Sequence, residues 1–148
     1  MPIRGVDPAN IPERFRAMFG HNPFADHFDL EVISAQPGRT VLRFPYRKEF
    51  TQYQGAVQGG IVVAYADAAM AVAIAPLLPE GRDFVTTDLY VQYVRAVTEG
   101  PILARGEITY QGNSLLRGRA EVEIEGIGIA AYCTATFMIV APRGAAKK

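Results

Sequence analysis

The 148-residue sequence contains no tryptophan, one cysteine and two histidines. A single cysteine, Cys133, cannot form an internal disulfide, and this usage is typical of a reducing compartment. Neither His21 nor His27 has a cysteine nearby, so no metal site is expected. Fifteen basic and fifteen acidic side chains cancel, which argues against a nucleic-acid groove or binding to an anionic membrane surface.

The first 20 residues also lack the continuous apolar run of a signal peptide, because Arg4, Asp7 and Glu13 interrupt it. A cytoplasmic location is therefore expected. The composition, 49% hydrophobic and 20% charged, is that of one globular domain. We expect an N-terminal segment (residues 1–23) with a short amphipathic helix over residues 10–20, a domain over residues 24–141, and a flexible tail (residues 142–148).

One stretch, residues 54–78, is far more apolar than the rest: QGAVQGGIVVAYADAAMAVAIAPLL. It predicts a helix with apolar residues on every side, and such a helix should be buried. Asp67 is its only charged residue, and a lone buried carboxylate is costly unless it is hydrogen-bonded or functional. The length alone also fits a membrane span, but Gly59, Gly60, Asp67 and the flanking prolines favour a core helix. A purely structural Asp67, bonded to a neighbouring backbone, is the other alternative.

Two strands are predicted before this helix, over residues 29–36 and 39–47, and four after it, over residues 84–95, 101–111, 116–125 and 129–140. In the first of the later four, alternation places Val85, Leu89, Val91 and Tyr93 on one face and Thr86, Asp88, Tyr90 and Gln92 on the other. In the next, Ile102, Ala104, Ile108 and Tyr110 share a face. Cys133 shares a face with Ile129, Ala131, Ala135 and Phe137, so a packing role is expected for its thiol.

One helix can be enclosed on all sides only by a sheet that curls around it. The sequence therefore predicts an α+β fold in which a long antiparallel sheet wraps around one central apolar helix. The edges of such a sheet remain open, and pairing with a second copy would remove one of them. A homodimer or a dimer of dimers is expected.

The loop before the helix carries the run Gln52-Tyr-Gln-Gly55-Ala-Val57-Gln58-Gly59-Gly60, followed by Asp67 and by the strand segment Thr86-Thr87-Asp88-Leu89. These motifs resemble hotdog-fold acyl-CoA thioesterases of the phenylacetate-pathway (PaaI-like) type. The resemblance covers roughly residues 24–140. The family pattern is Asn-x-x-Gly-x-(Val/Leu)-His-Gly-Gly with an Asp nine residues after the His. Gly55, Gly59, Gly60, Asp67 and Thr86 match it, whereas Gln52 and Gln58 replace the family's Asn and His.

The resemblance implies a hotdog fold, an acyl-CoA substrate, no metal or redox cofactor, and active sites shared between subunits. The chemistry of the residues agrees with it. A helix N-terminus binds anions through its free N–H groups and its dipole, so the Gly60 N–H can hold the oxyanion of a thioester. Asp67 can attack the carbonyl carbon or activate a water molecule, and the sequence does not choose between these routes.

The spacing of Gly60 and Asp67 constrains where such a site can form. Seven residues place them on one side of the helix but ~10 Å apart along its axis, whereas reacting groups must come within ~3–3.5 Å. Two antiparallel helices across a dimer interface would bring Gly60 of one chain to Asp67 of the other.

Several further residues are candidates for the site. Gln58 either donates to the carbonyl, orients water or caps the loop. Thr86 either holds the attacking water, orients Asp67 or serves only the strand, and Gln52 is a weaker catalytic candidate. Gly59, Tyr65, Arg95 and Arg117 are candidates for substrate binding, the arginines through CoA phosphates, unless they are merely solvated.

Two other functions remain open from the sequence. One is a non-catalytic acyl-CoA-binding protein, to which the glutamines at positions 52 and 58 lend weight. The other is an enoyl-thioester hydratase or dehydratase, a chemistry that in comparable proteins uses a His with an acid. No His follows His27 in this chain.

Overall fold

The computed structural model describes residues 22–142. In chain order the elements are α1 (Pro23–His27), β1 (Glu31–Gln36), β2 (Arg39–Phe44), a 3-10 turn (Lys48–Phe50), α2 (Gly59–Ile74) with a 3-10 extension (Ala75–Leu77), β3 (Asp83–Tyr93), β4 (Ile102–Gln111), β5 (Leu115–Ile124) and β6 (Gly128–Val140). The predicted order of two strands, one apolar helix and four strands is confirmed. The helix predicted over residues 10–20 and all but the first residue of the predicted tail lie outside the described residues.

The strands form one antiparallel sheet in the order β1-β2-β4-β5-β6-β3. The central helix α2 packs on its inner face, chiefly against β2, β4 and β5. Alternation along β5 follows the prediction, because Leu116, Gly118, Ala120, Val122 and Ile124 are the buried residues of that strand. The predicted α+β architecture, a long antiparallel sheet wrapped around one apolar helix, is therefore the observed one.

The apolar character of α2 is explained by this enclosure. The segment Gly59–Leu77 is long and apolar enough to cross a membrane by length and composition, and half of its most apolar window is buried inside the fold. Val62, Ala66, Ala69 and Met70 are buried. The far end of α2 is also tied to the sheet, since the Gly38 N–H in the β1–β2 turn donates to the Ala73 carbonyl (N···O 3.0 Å).

Two bulges change the faces that simple alternation predicts. In β3, Thr86 pairs with Phe137 and Asp88 with Thr136, which leaves Thr87 as an extra residue. Because paired residues share a face, Thr86 lies on the inner face with Leu89, Val91 and Tyr93, and Val85 lies on the outer face. A one-residue bulge moves every preceding residue of the strand to the opposite face of the sheet. The predicted faces of Thr86 and Val85 were therefore wrong.

Two smaller corrections have the same cause. In β4, Tyr110 pairs with Arg117 after a bulge at Thr109, so Tyr110 is exposed on the outer face and does not share the face of Ile102. At the start of β6, Ile129 pairs with Glu123 and leaves the face of Cys133. The thiol itself is buried in the core as expected.

Helix and sheet approach each other closely at a position where β4 has no side chain. A Cβ atom on Gly106 would lie 2.5 Å from the Ala69 carbonyl carbon and 2.6 Å from its oxygen. The same carbonyl accepts a hydrogen bond from the buried Thr40 hydroxyl (O···O 2.6 Å). Glycine at this position lets the backbone of α2 rest directly on β4.

Gly106→Ala is expected to lower the free energy of unfolding by about 3 kcal/mol, because the new methyl group overlaps backbone atoms that cannot move independently. Gly118→Ala is the matched control, since its Cβ would meet the flexible end of the Met70 side chain first, at 3.0 Å, and a backbone atom, the Glu107 oxygen, only at 3.3 Å. Chemical denaturation of both variants checks this. Equal losses of stability would show that the close approach at Gly106 is not a constraint.

Candidate active site

The loop that leads into α2, residues 51–58, is closed by its own backbone. Thr51 and Val57 form an isolated antiparallel bridge, and the Gln52 N–H donates to the Ala56 carbonyl (N···O 2.8 Å). Gly55 turns the chain with a φ of 85°, a conformation that glycine adopts without strain. The start of α2 is therefore held in place before any ligand binds.

The first turn of α2 exposes two unpaired amides. The Ile61 and Val62 N–H groups both donate to the Gln58 carbonyl, with N···O distances of 2.9 and 3.2 Å. Within residues 22–142, neither the Gly59 N–H nor the Gly60 N–H has an acceptor. Gly60 is exposed, and a Cβ atom there would meet nothing within 4 Å. The open amides and the positive end of the helix dipole together form a site for a negatively charged oxygen.

Asp67 is half-buried and has one side-chain partner among residues 22–142. The Thr86 hydroxyl donates to its Oδ1 at 3.0 Å, a contact that depends on the bulge at Thr87. Burial raises the pKa of the Asp67 carboxyl above its ordinary value, and the hydrogen bond from Thr86 opposes that rise. The result is a carboxylate that is more basic than one in water and held in a fixed direction.

Gly60 and Asp67 lie on the side of α2 that the sheet leaves uncovered. Residues 60, 63, 64, 67 and 71 follow the three- and four-residue spacing of one helix face, and all of them are exposed or half-buried. β3 borders this side, and it pairs with β6 along one edge only among the described strands. Gly60 and Asp67, which are predicted to act on one thioester, thus lie on the same side of α2. Their seven-residue spacing separates them by ~10 Å along the helix axis.

A second contact ties β3 to α2 and was not foreseen from the sequence. The Tyr93 hydroxyl donates to the Gly59 carbonyl with an O···O distance of 2.7 Å. A Cβ atom on Gly59 would lie 2.9 Å from that hydroxyl oxygen, so glycine leaves the space that the phenol fills. The alternation of the sequence predicts only which face of the strand carries Tyr93, and no local pattern indicates that Tyr93 contacts the helix.

The two glutamines differ in their surroundings. Gln58 is exposed next to the open amides, and its side chain does not cap α2. The Gln52 carboxamide is engaged inside the loop, where its Nε2 donates to Gln54 Oε1 (3.2 Å) and its Oε1 accepts the Gln54 N–H. Gln52 therefore shapes the loop, whereas in the part of the chain that the structure describes the Gln58 carboxamide has no hydrogen-bond partner beside the site.

The predicted substrate-binding residues are spread over the molecule. Tyr65 is 1% exposed and stacks on Phe44 with ring centroids 3.9 Å apart, and burial raises its pKa to about 12. Arg95 is exposed just beyond β3, at the end where Tyr93 meets Gly59. Arg117 lies on the outer face of β5 in a surface hollow of about 370 Å³. Within one chain, Gly59 adjoins Gly60, whereas a Cβ atom on Gly128 would lie 3.7 Å from a guanidinium nitrogen of Arg95. Tyr65 is in the core, and Arg117 is on the outer face of the sheet.

A larger hollow of about 500 Å³ also lies on the outer face of the sheet. Three of the charged side chains that line it form one network, in which Glu107 contacts both Arg39 (2.8 Å) and Arg119 (2.6 Å). Those contacts lower the pKa of Glu107. Solvent-exposed ion pairs of this kind provide no activated group for chemistry.

Comparisons with known proteins agree on one family. A family model described as "Thioesterase superfamily" matches residues 54–131, more than half of the chain. A Saccharolobus solfataricus protein named "Putative esterase SSO2140" is 31% identical over 97 residues, which are 66% of this chain. The match spans 66% of that relative, just under two thirds of its length.

Two solved structures are similar over most of this chain. A thioesterase family protein from Silicibacter pomeroyi has a TM-score of 0.81 at 26% identity, covering 88% of this chain and 98% of that chain. A mutant of the phenylacetic acid degradation protein PaaI from Thermus thermophilus has a TM-score of 0.72 at 27% identity, covering 79% of this chain and 98% of that chain.

Thr86→Val is expected to raise the pKa of the Asp67 carboxyl further, because the lost hydroxyl stabilises the ionised form and leaves the opposing effect of burial unbalanced. Thr86→Ser keeps the donor and should leave the pKa near its wild-type value. Carboxyl-carbon NMR titration of the three proteins measures the shift. A valine variant whose Asp67 titrates as in the wild type would contradict the proposed contact.

Proposed function

Because the chain belongs to the thioesterase superfamily, we propose that it hydrolyses an acyl-CoA thioester to a free carboxylic acid and CoA. Its sheet wrapped around α2 is the hotdog fold of that family. The observation that carries the proposal is a single uncovered side of α2 that holds both the open amide of Gly60 and the Thr86-bound carboxylate of Asp67. The Gly60 N–H can stabilise a developing oxyanion, and the Asp67 carboxylate can act as a base or as a nucleophile.

In the proposed reaction the Gly60 N–H donates to the thioester oxygen, and it binds that oxygen more strongly as negative charge forms on it. Asp67 either takes a proton from the water that adds to the carbonyl carbon or adds to that carbon itself before water does. The carbon–sulfur bond then breaks, the electron pair leaves with sulfur, and CoA departs as thiolate or thiol. Water supplies the oxygen that the acid gains.

The carboxylate meets the requirements of either route. Burial raises the pKa of the Asp67 carboxyl and the hydrogen bond from Thr86 opposes that rise, so the carboxylate is a stronger base than one in water. Gln58, exposed beside Gly59, is proposed to donate its amide N–H to the carbonyl or to orient the water. A carboxamide cannot transfer protons as an imidazole does, so proton transfer rests on Asp67 alone.

The proposed site is shared between two copies of the chain. Gly60 and Asp67 are ~10 Å apart along α2, too far to serve one carbonyl, whereas both lie on its uncovered side beside the open edge of β3. A two-fold axis next to this edge would place Gly60 of one chain opposite Asp67 of the other. We propose a homodimer with two such sites, alone or as half of a homotetramer.

The CoA moiety is proposed to be recognised through its phosphates. Arg95 is exposed at the end of β3 that reaches the helix N-terminus, and its guanidinium suits phosphate oxygens. Arg117 is a second candidate, for the part of CoA that would extend over the outer face of the sheet.

Thiol release from a panel of acyl-CoA esters tests the reaction. Asp67→Asn is expected to lower kcat/KM at least about 100-fold, because an amide is neither a base nor a nucleophile. Glu80→Gln is the matched control, since it makes the same change from carboxylate to amide at an exposed position in the turn between α2 and β3. Tight binding without hydrolysis would favour an acyl-CoA-binding protein instead, and a hydroxyacyl product would favour a hydratase.

Subunit mixing tests the shared site. Gly60→Pro removes the amide N–H at a position in the first helical turn where proline is tolerated. The Gly60→Pro variant and the Asp67→Asn variant should each be inactive when assayed alone. Unfolding and refolding them together should restore about a quarter of the wild-type rate, because each mixed dimer holds one intact site. A mixture as inactive as its components would place the whole site within one chain.

A further inference from the structure

The proposed oxyanion donor belongs to a peptide group whose other end is already held. The Gly59 carbonyl and the Gly60 N–H are the two ends of one planar unit, so whatever fixes the direction of the carbonyl also fixes the direction of the N–H. The Tyr93 hydroxyl donates to that carbonyl oxygen at 2.7 Å, which is the usual distance for a well-formed O–H···O hydrogen bond.

A hydrogen bond to a carbonyl also changes the amide behind it. Electron density shifts toward the oxygen, the N–H becomes more positive, and each bond in such a chain strengthens the next. In the first turn of a helix the carbonyl also accepts an amide from the following turn, and its second lone pair is available to the phenol. The Gly60 N–H should therefore be a stronger donor than an ordinary helix-terminal amide.

The surroundings of Tyr93 are suited to this contact. Glycine at position 59 leaves room for the phenol of Tyr93. A Cβ atom there would lie 2.9 Å from the phenol oxygen and 3.1 Å from the phenol Cζ. Burial, with a smaller contribution from the nearby Cys133, raises the pKa of Tyr93. The hydroxyl thus remains protonated, and remains a donor, throughout the neutral range.

We propose that Tyr93 is a positioning residue that orients and polarises the Gly59–Gly60 peptide for its role as oxyanion donor. This inference rests on the proposed thioester hydrolysis. It assigns a second function to β3, whose inner face holds Asp67 through Thr86 and the oxyanion amide through Tyr93.

Steady-state kinetics of Tyr93→Phe is the first test. The variant keeps the ring and loses only the donor, so kcat should fall about tenfold with little change in KM, as expected when an interaction is made mainly in the transition state. Tyr90→Phe is the matched control, because Tyr90 is exposed on the outer face of the same strand. An unchanged kcat, or a loss confined to KM, would overturn the inference.

A second variant probes the same contact from the other side. Gly59→Ala should displace the phenol and lose about as much in kcat as Tyr93→Phe, and the double variant should lose little more, since both changes break one interaction. Losses that multiply in the double variant would mean that the two residues act separately, which also overturns the inference.

NMR of protein labelled with ¹⁵N-glycine gives a readout that does not need turnover. The Gly60 amide proton should move upfield in Tyr93→Phe, because its N–H is less polarised, and should stay in place in Tyr90→Phe. If the wild-type protein hydrolyses no acyl-CoA ester, the proposed function fails. The chemical shift of the Gly60 amide proton still tests whether Tyr93 polarises the Gly59–Gly60 peptide. An unshifted Gly60 resonance, or a fall in kcat matched by loss of the folded fraction, overturns the inference.

Discussion

A helix with no polar side is stable in water only when other parts of the structure enclose it, and this requirement governs the whole fold. The curved sheet covers α2 on the sides that carry Val62, Ala69 and Met70. Glycine at position 106 lets the two backbones touch. One side of the helix stays uncovered, and the chemically distinctive residues occupy it. The candidate site is thus located where the enclosure of α2 is incomplete in a single chain.

The properties of that side depend on one extra residue in β3. Without the bulge at Thr87, Thr86 would point outward and Asp67 would have no hydrogen-bond donor to oppose the effect of burial. With it, the first half of β3 supports the carboxylate, and the last residue, Tyr93, supports the start of α2. Strand and helix therefore hold each other at two points, and a displacement of β3 would disturb both ends of the site together.

The sequence predicts the element order and the wrapped sheet because both follow from patterns that are strong locally. Alternation along residues 116–125 and the continuous apolarity of residues 54–78 leave little choice of structure. Asp67 stands out for the same reason, since a charge in such a helix conflicts with its surroundings. The resemblance to PaaI-like thioesterases rests on the same loop and helix, and the comparisons confirm it.

The remaining details depend on contacts between distant parts of the chain. A bulge adds one residue without changing composition, so the face of Thr86 cannot be read from alternation. The contact between Tyr93 and Gly59 joins residues 34 positions apart. Tyr65 packs in the core against Phe44 from β2, a contact that no local pattern around either residue indicates.

β3 also has a consequence for how the protein is produced in a cell. It spans 11 residues, and among the described strands it has a neighbour on one edge only. A newly synthesised chain therefore presents a ready template for any extended segment. If the proposed homodimer forms beside this edge, productive folding depends on how soon two chains meet. Emergence of neighbouring chains from ribosomes on one messenger RNA, and the rate of translation, would then influence the yield of folded protein.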